Sequence, residues 1–562
     1  MKPFQTTLAA ALVSSAVFMV GCSSDEDAKS AENKAADTQT AEVKAGSTHP
    51  VTGETLAADQ TFRYWEIDEP DSFDPQLMEG VHSSYHARNL FEGLLNQDAD
   101  GNLVPGVAER YEASEDKKTY TFYLRKDAKW TNGDPVTAND FVFAWKRAVN
   151  PETASPYSWF MELMNIKNAT AIINAEADVD TLGVKAVDDY TFQVKLEGSL
   201  PYFANMVTHS TTFPTPKAVI EQYGSDWTKP EHIVSNGAYK LVTHVVNERS
   251  ELVRNELYWD NEHTIINKIE TFVIPDENQA LIRWKADEYD WMESIPAGQF
   301  KSLQKEFPNQ VLVAPRLCSY YYQINQRDNS LPALLDVRVR KALSYSIDRN
   351  IIVDNITQGG QYPAYTFTPG ATAGFEVPKV AYAKLTQAER DAEAKKLMEE
   401  AGYGDGLKLE ILYNTSESHK AIAIAISQMW KTKLGIETTL KNIEWKTFLT
   451  DKKDGNFEIS RSGWCGDYNE ASTFLDLVRS TNVQNEGHYI NPEVDKLLDE
   501  AKTMDDPNPN YTKIEQIMAD DMAIIPLYHY TVNYMMKDNV KGWPINNVEQ
   551  NWYAKDLYKV AK

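Results

Sequence analysis

The stretch RSGWCGDYNE, Arg461 to Glu470, gathers a guanidinium, a carboxylate, an indole and a thiol within ten residues of a chain that has only three cysteines. Buried charges and amides need partners, so this is not the composition of a packed core. A solvated loop has no use for both Trp464 and Cys465. These types fit a surface that receives something polar. Arg461 presents a planar fork suited to a carboxylate, Asp467 an anion and Trp464 a flat wall. In an extended run, alternate residues turn to opposite faces. A competing reading keeps Trp464 in a core and pairs Arg461 with Asp467 as a structural ion pair; composition alone leaves both open.

No other spacing announces a reaction. The sequence holds no Gly-rich phosphate loop, no His-Glu-x-x-His pair and no Gly-x-Ser-x-Gly turn. Its cysteine spacing does not suit a structural zinc site, and ten histidines are sparse for metal clusters. No catalytic residue, cofactor or metal ligand is therefore assigned. A formal net charge of -26 repels phosphate backbones and excludes nucleic acid as a partner. The 29 Tyr, 20 Phe and 13 Trp point either to large cores or to a ligand site walled with rings.

The elements that must carry the segment alternate between periods of 2 and 3.6 residues, which predicts a mixed α/β protein. TYTFYLRKDAKW, Thr119 to Trp130, reads as one strand. A turn follows at Asn132-Gly133 and Pro135. Thr137 then caps a helix with Phe141, Ala144, Trp145 and Ala148 on its inner face. Asp336 caps another, with Val339, Ala342, Leu343, Ser346 and Ile347 inward. Thr386 to Glu389 form a capping box, and Gly402 marks that helix's end. Leu407 to Tyr413 alternate as a strand, a helix runs through Trp430, and a second strand after Gly435 ends near Trp445. Strand, helix, strand in this order predicts a largely parallel sheet. At 562 residues the chain exceeds one core and predicts two to four domains.

The N-terminus carries Lys2 and an apolar run from Leu8 to Val20, too short to span a bilayer. Residues 1–21 read as a signal peptide. Met19-Val20-Gly21-Cys22 resembles the lipobox of bacterial lipoproteins, in which the cysteine is lipidated; a plain secretory signal is the alternative. Residues 22–59 lack aromatics and read as a flexible tether behind Cys22. No other segment is long and apolar enough to cross a membrane. With Cys22 committed to lipid, Cys318 and Cys465 remain, and two thiols in an oxidising compartment suggest one disulfide.

Several long segments resemble the extracellular solute-binding proteins that serve peptide importers. They are FEGLLNQDADGNLVPGVAERYEAS (Phe91–Ser114), AKWTNGDPVTANDFVFAWKR (Ala128–Arg147), NGAYKL (Asn236–Leu241), DVRVRKALSYSIDRNIIV (Asp336–Val353), LYNTSESHKAIAIAISQMWK (Leu412–Lys431) and GWCGDYNE (Gly463–Glu470). The likeness runs from about Phe62 to the C-terminus. It implies a two-lobed periplasmic-binding-protein clamp of α/β class with mixed sheets and three sub-domains. The first lobe would hold 60–91, 217–317 and 532–562, with 92–216 as an extra sub-domain, and the second lobe 318–531. The implied function is a non-catalytic receptor that binds short peptides of about two to five residues by their main chain. It would be a lipid-anchored, monomeric protein of the cell envelope that delivers peptides to an inner-membrane ABC permease. Receptors of murein or signalling peptides are a close variant, and a peptide hydrolase is the reading from another class.

Site residues follow from the resemblance position by position. Asp467 pairs with the peptide α-ammonium, the Gly463 and Cys465 backbones lie along the peptide as an added strand, and Trp464 is a wall. Glu79 and Val81 belong to a loop at the first peptide residues. Tyr157, Tyr321 and Tyr530 are further wall residues, and Trp445 lines a side-chain pocket. His419 and Arg461 receive a C-terminal carboxylate. Three positions depart from the pattern: Thr357 stands where a lysine is usual, Lys452 where an arginine is, and Ser294 at or near an asparagine.

Overall fold

The computed structural model describes residues 46–562 except 297 and 505. The expected signal peptide, Cys22 and the first part of the tether lie outside the described residues. Two long antiparallel strands, Val311–Ile324 and Ile524–Met536, run side by side through the middle of an eleven-stranded mixed sheet. On one flank the sheet continues through Trp291–Met292, Thr61–Glu66, Lys268–Val273, Arg249–Arg254 and Tyr239–Val245. On the other it continues through Ile459–Cys465, Lys408–Asn414 and Glu437–Ile443. The two halves therefore share these paired hinge strands. Their register breaks between Pro315 and Ser319, where a proline offers no N–H to the ladder and a bulge bends the strand. The lobe boundaries expected at 317/318 and 531/532 fall inside these strands.

Within 92–216, the strands Ala108–Ala113, Thr119–Leu124, Thr191–Lys195 and Val184–Asp188 form a separate antiparallel sheet. The helix Ala138–Val149 buries Phe141, Ala144, Trp145 and Ala148, and Thr137 and Asp140 form its capping box. The strand expected through Trp130 stops at Leu124. Arg125, Lys126 and Asp127 break the alternation, and the chain turns back in a tight hairpin in which the Trp130 N–H donates to the Asp134 carbonyl at 2.8 Å.

The predicted strand–helix–strand unit is present. Lys408–Asn414 and Glu437–Ile443 pair in parallel, joined by the helix Glu417–Leu434, which ends on Gly435 at φ +69°. Only glycine holds that left-handed position cheaply. The second strand ends at Ile443, and Trp445 opens a new helix, Trp445–Asp454, capped by Glu444. Asp336 caps Val337–Tyr345, and all five expected inner residues are buried.

The tether is shorter than expected. Thr48 bridges to Thr55, Leu56 is buried and bridges to Val560, and the Ala57 N–H donates to the Lys559 carbonyl at 2.8 Å. His49 packs against Tyr558, with ring centres 4.0 Å apart. Backbone pairing and one buried leucine thus fasten 48–57 to the far end of the chain. The aromatic surplus serves both roles: Phe62, Tyr64, Trp291 and Trp552 pack together in the first lobe's core, while other rings face the cleft.

Candidate functional site: the cleft between the lobes

The strand Ile459–Cys465 pairs antiparallel with the first hinge strand, from Tyr322↔Arg461 to Cys318↔Cys465. The last pair is joined as a disulfide with Cα atoms 4.0 Å apart. On its other edge the strand pairs with Lys408–Asn414 only at Ile459 and Ser460. From Arg461 to Cys465 no strand of the described residues covers that edge. Its main-chain donors and acceptors are open to an added strand.

This edge borders a cavity of about 350 Å³, and all twelve peptide-binding positions named from the sequence line it. At one end stands Asp467, whose N–H donates to Thr473 Oγ1 at 2.9 Å. Its Oδ1 lies 3.3 Å from His209 Nε2 and 3.5 Å from the Tyr157 hydroxyl. His209 Nδ1 accepts from the Thr211 N–H, so in the neutral ring the proton sits on Nε2, the nitrogen nearer Asp467. Asp467 Oδ2 is buried and has no partner. Tyr157 stacks on His209, with ring centres 4.8 Å apart, and lies nearly parallel to Trp464 at 6.4 Å. A buried acceptor without a donor is costly, so Oδ2 is open to a further donor from the cavity.

At the other end Arg461 donates to the Tyr530 hydroxyl at 3.2 Å and to Asn414 Oδ1 at 3.4 Å, with its guanidinium 5.0 Å above the Tyr320 ring. Its Nε has no partner. Arg461 and Asp467 do not pair with each other, so the structural ion pair left open by composition does not form. His419 is half-buried, with Nδ1 3.4 Å from the Tyr320 hydroxyl. Burial, and then the Arg461 charge, hold its pKa well below the usual histidine range, so it is a neutral hydrogen-bonding group and not a second cation. A Cβ on Gly463 would stand 3.2 Å from Arg461 Nη2 and 3.5 Å from the Tyr530 hydroxyl; bare backbone leaves that floor low. Tyr321 packs on Phe367 and Trp445 on Phe448.

Glu79 reaches across the cleft. Its carboxylate accepts from Lys453 at 2.5 Å and Gln484 at 3.1 Å on the second lobe, so its side chain links the lobes. Val81, at the start of the helix Val81–Leu90, is 39% exposed. The three departing positions also line the cavity. Thr357 donates to Gln361. Lys452 is buried and pairs with buried Glu486 at 2.6 Å, so its charge is already neutralised. The Ser294 hydroxyl has no partner.

Sequence reasoning missed several groups here. His209 is one. Arg316 is another: it lies 5.8 Å above the Tyr534 ring, its Nη2 is 3.5 Å from the Tyr85 hydroxyl, and its Nε is unpartnered. Among the described residues neither Arg316 nor Arg461 has an acid within salt-bridge distance. Asp68 and Glu277 also face the cavity. Burial pushes the Asp68 carboxyl up to about 6. It pushes Glu277 up to about 7, against the Ser418 and Ser416 hydroxyls. No local signal marks these residues; distant segments bring them together. A larger hollow of about 640 Å³ shares Arg316 and Tyr530 with the cleft, but none of its lining residues is acidic. The cation-accepting chemistry is therefore in the cleft.

Two lobes joined by paired strands around a polar cleft define a solute-binding clamp. Residues 102–486 match the bacterial extracellular solute-binding proteins, family 5, and the chain belongs to that family. It is 43% identical over 512 residues, 90% of this chain and 94% of the relative, to the periplasmic oligopeptide-binding protein OppA of Salmonella typhimurium. The structure of the Escherichia coli murein tripeptide binding protein MppA superposes with a TM-score of 0.88 at 43% identity, covering 90% of this chain and 100% of that one. The unliganded open form of that protein matches at only 0.66, so the lobes here do not adopt its open arrangement. OppA of Haemophilus influenzae in complex with the peptide RPPGFSPFR matches with a TM-score of 0.87 at 40% identity, covering 90% of this chain and 100% of that one.

Proposed function

We propose that the protein is a non-catalytic extracytoplasmic receptor that captures short peptides by main chain and termini and delivers them to an ABC transporter. One observation carries the reading. A buried carboxylate oxygen without a donor, on Asp467, and guanidinium groups without an acid, on Arg461 and Arg316, flank an uncovered strand edge in one cavity. A zwitterionic, extended peptide supplies the missing cation, anion and main-chain partners. In this reading Glu79, Val81, Tyr157, Tyr321, Trp445, Trp464 and Tyr530 form walls that tolerate varied side chains, His419 helps the carboxylate as a neutral donor, and Cys465 contributes backbone. The relatives' names, oligopeptide- and murein peptide-binding proteins of the periplasm, support the ligand class and the compartment. We infer further that lobes close about the hinge strands and that Cys22 bears the lipid anchor. Mass spectrometry of ligand released by denaturation tests the proposal, together with incubation in a mixed peptide pool. Intact peptides that co-purify and survive incubation are expected; cleaved peptides would make it a hydrolase.

A further inference from the structure

Glu549 opens on the same cleft and has no role in the reading above. Its position is built by backbone. The Leu317 N–H donates to the Val548 carbonyl at 2.7 Å, and the Leu317 carbonyl accepts from the Gly466 N–H at 2.8 Å. One residue beyond these contacts stand Glu549 and Asp467, so Leu317 sets two acids near each other at the amine end. Gln97 locks the loop. Its Nε2 donates to Glu549 Oε2 at 2.8 Å, and its Oε1 accepts from Asn547 at 3.1 Å and Asn551 at 2.7 Å. Asn551 also donates to Glu549 Oε2 at 3.0 Å. The Asn469 backbone also supports the carboxylate, but among the described residues no cation lies within salt-bridge distance of it. The charged groups facing Glu549 are Arg88 and Asp467, with His209 behind the latter.

Gln550, in the same wall, is 2% exposed and leaves its side-chain Oε1 without a partner. It also stands at φ +56°, a left-handed conformation that is strained for a residue other than glycine and is retained where surroundings over-determine it. Burial pushes the Glu549 carboxyl up to about 7, although Gln97 and Arg88 pull it down. A peptide's α-ammonium answers Asp467 and leaves the Glu549 charge unpaired and Gln550 Oε1 without a donor. The side chain of the first residue leaves from the carbon that bears that ammonium, so it is the part of the peptide nearest Glu549.

We propose that Glu549, with Gln550, forms a second cation subsite that takes the positively charged side chain of a peptide's first residue, lysine or arginine. The inference rests on amine capture at Asp467. The test is calorimetric titration of the wild type and Glu549→Gln with Lys-Ala-Ala and norleucine-Ala-Ala, each with free and acetylated amine. The wild type should bind the free lysine peptide on the order of tenfold tighter than the norleucine peptide, and this ratio should fall towards one in Glu549→Gln. In the wild type it should also shrink from pH 8 to pH 6, because a protonated Glu549 offers no charge. Equal affinity of the two free peptides for the wild type, or a ratio that survives Glu549→Gln, overturns the subsite. The acetylated pair tests the parent reading separately: if acetylation costs the norleucine peptide nothing, amine capture is wrong whatever the ratio.

Discussion

Replacing Glu277 with glutamine should tighten peptide binding, most of all at alkaline pH. Glu277 opens the first-lobe helix Glu277–Lys285. Its carboxylate accepts from the Ser418 hydroxyl at 3.0 Å and the Ser416 hydroxyl at 3.4 Å, at the start of the second-lobe helix Glu417–Leu434. The residue is 2% exposed, and burial lifts its pKa from 4.5 to about 7. Opening the clamp returns the carboxyl to water. The closed form has the higher pKa, so it binds the extra proton; closure is unopposed below 4.5 and loses ground as pH rises towards 7. The difference, 7 − 4.5 = 2.5, corresponds to about 3.4 kcal/mol once the group is ionised in both forms. Integrated, the ionised carboxylate opposes closure by about 2 kcal/mol at pH 6 and about 3.3 kcal/mol at pH 8, roughly a tenfold fall in the closed-to-open ratio. Glutamine keeps the shape and a hydrogen-bonding carbonyl without the charge. Titration with Ala-Ala-Ala at both pH values should show Glu277→Gln binding tighter than the wild type, with a gain roughly tenfold larger at pH 8 than at pH 6. Asp68 and Glu549 titrate in the same window, so the wild-type slope exceeds the share of Glu277 and the comparison of the two proteins isolates it. Weaker binding by the variant at pH 8, or an unchanged slope, would refute the reasoning.

Three further outcomes are expected. Lys452→Met should lower the melting temperature sharply, because it strands buried Glu486 at a cost of about 3–5 kcal/mol; adding Glu486→Gln should restore most of the loss, and no recovery would assign the loss to packing. A chain that begins after Cys22 should show no free thiol under denaturing, non-reducing conditions. Reducing Cys318–Cys465, which closes a loop of 147 residues, should destabilise it by roughly 4–5 kcal/mol in the loop-entropy account; two reactive thiols before reduction would remove the bond. A tight-binding tripeptide should raise the melting temperature and shrink the radius of gyration, and binding without any change in radius would argue against hinge closure.

Local chemistry made much of the fold legible. Gly435, the Thr386–Glu389 box and the alternation of Leu407–Tyr413 each fix a boundary within a few residues of themselves, and those elements stand where they were expected. Thr119–Trp130 reads as one strand because the apolar alternation resumes at Ala128 after a polar break, and periodicity cannot tell one strand from a strand and a hairpin. Composition extends the tether to residue 59 because backbone pairing with Lys559 and Val560 leaves no mark in it. In the cleft, recognisable motifs carried the twelve positions into one cavity. The groups that escaped are held only by distant partners: Ser418 lies 141 residues from Glu277, and Glu549 lies 452 from Gln97. Lys452 shows the limit of reading by analogy, since its charge is present in sequence and is taken by Glu486 in the fold.

Asp467→Asn tests the central claim most directly. The substitution preserves shape and removes the charge that stands beside His209 with its second oxygen unpartnered. Calorimetric titration with free-amine and N-acetylated tripeptides should show the free peptides weakened by on the order of a hundredfold. Acetylated peptides, already poor ligands of the wild type, should lose little more. Equal losses for free and acetylated peptides would contradict the account, because Asp467 would then support the fold without reading the amine.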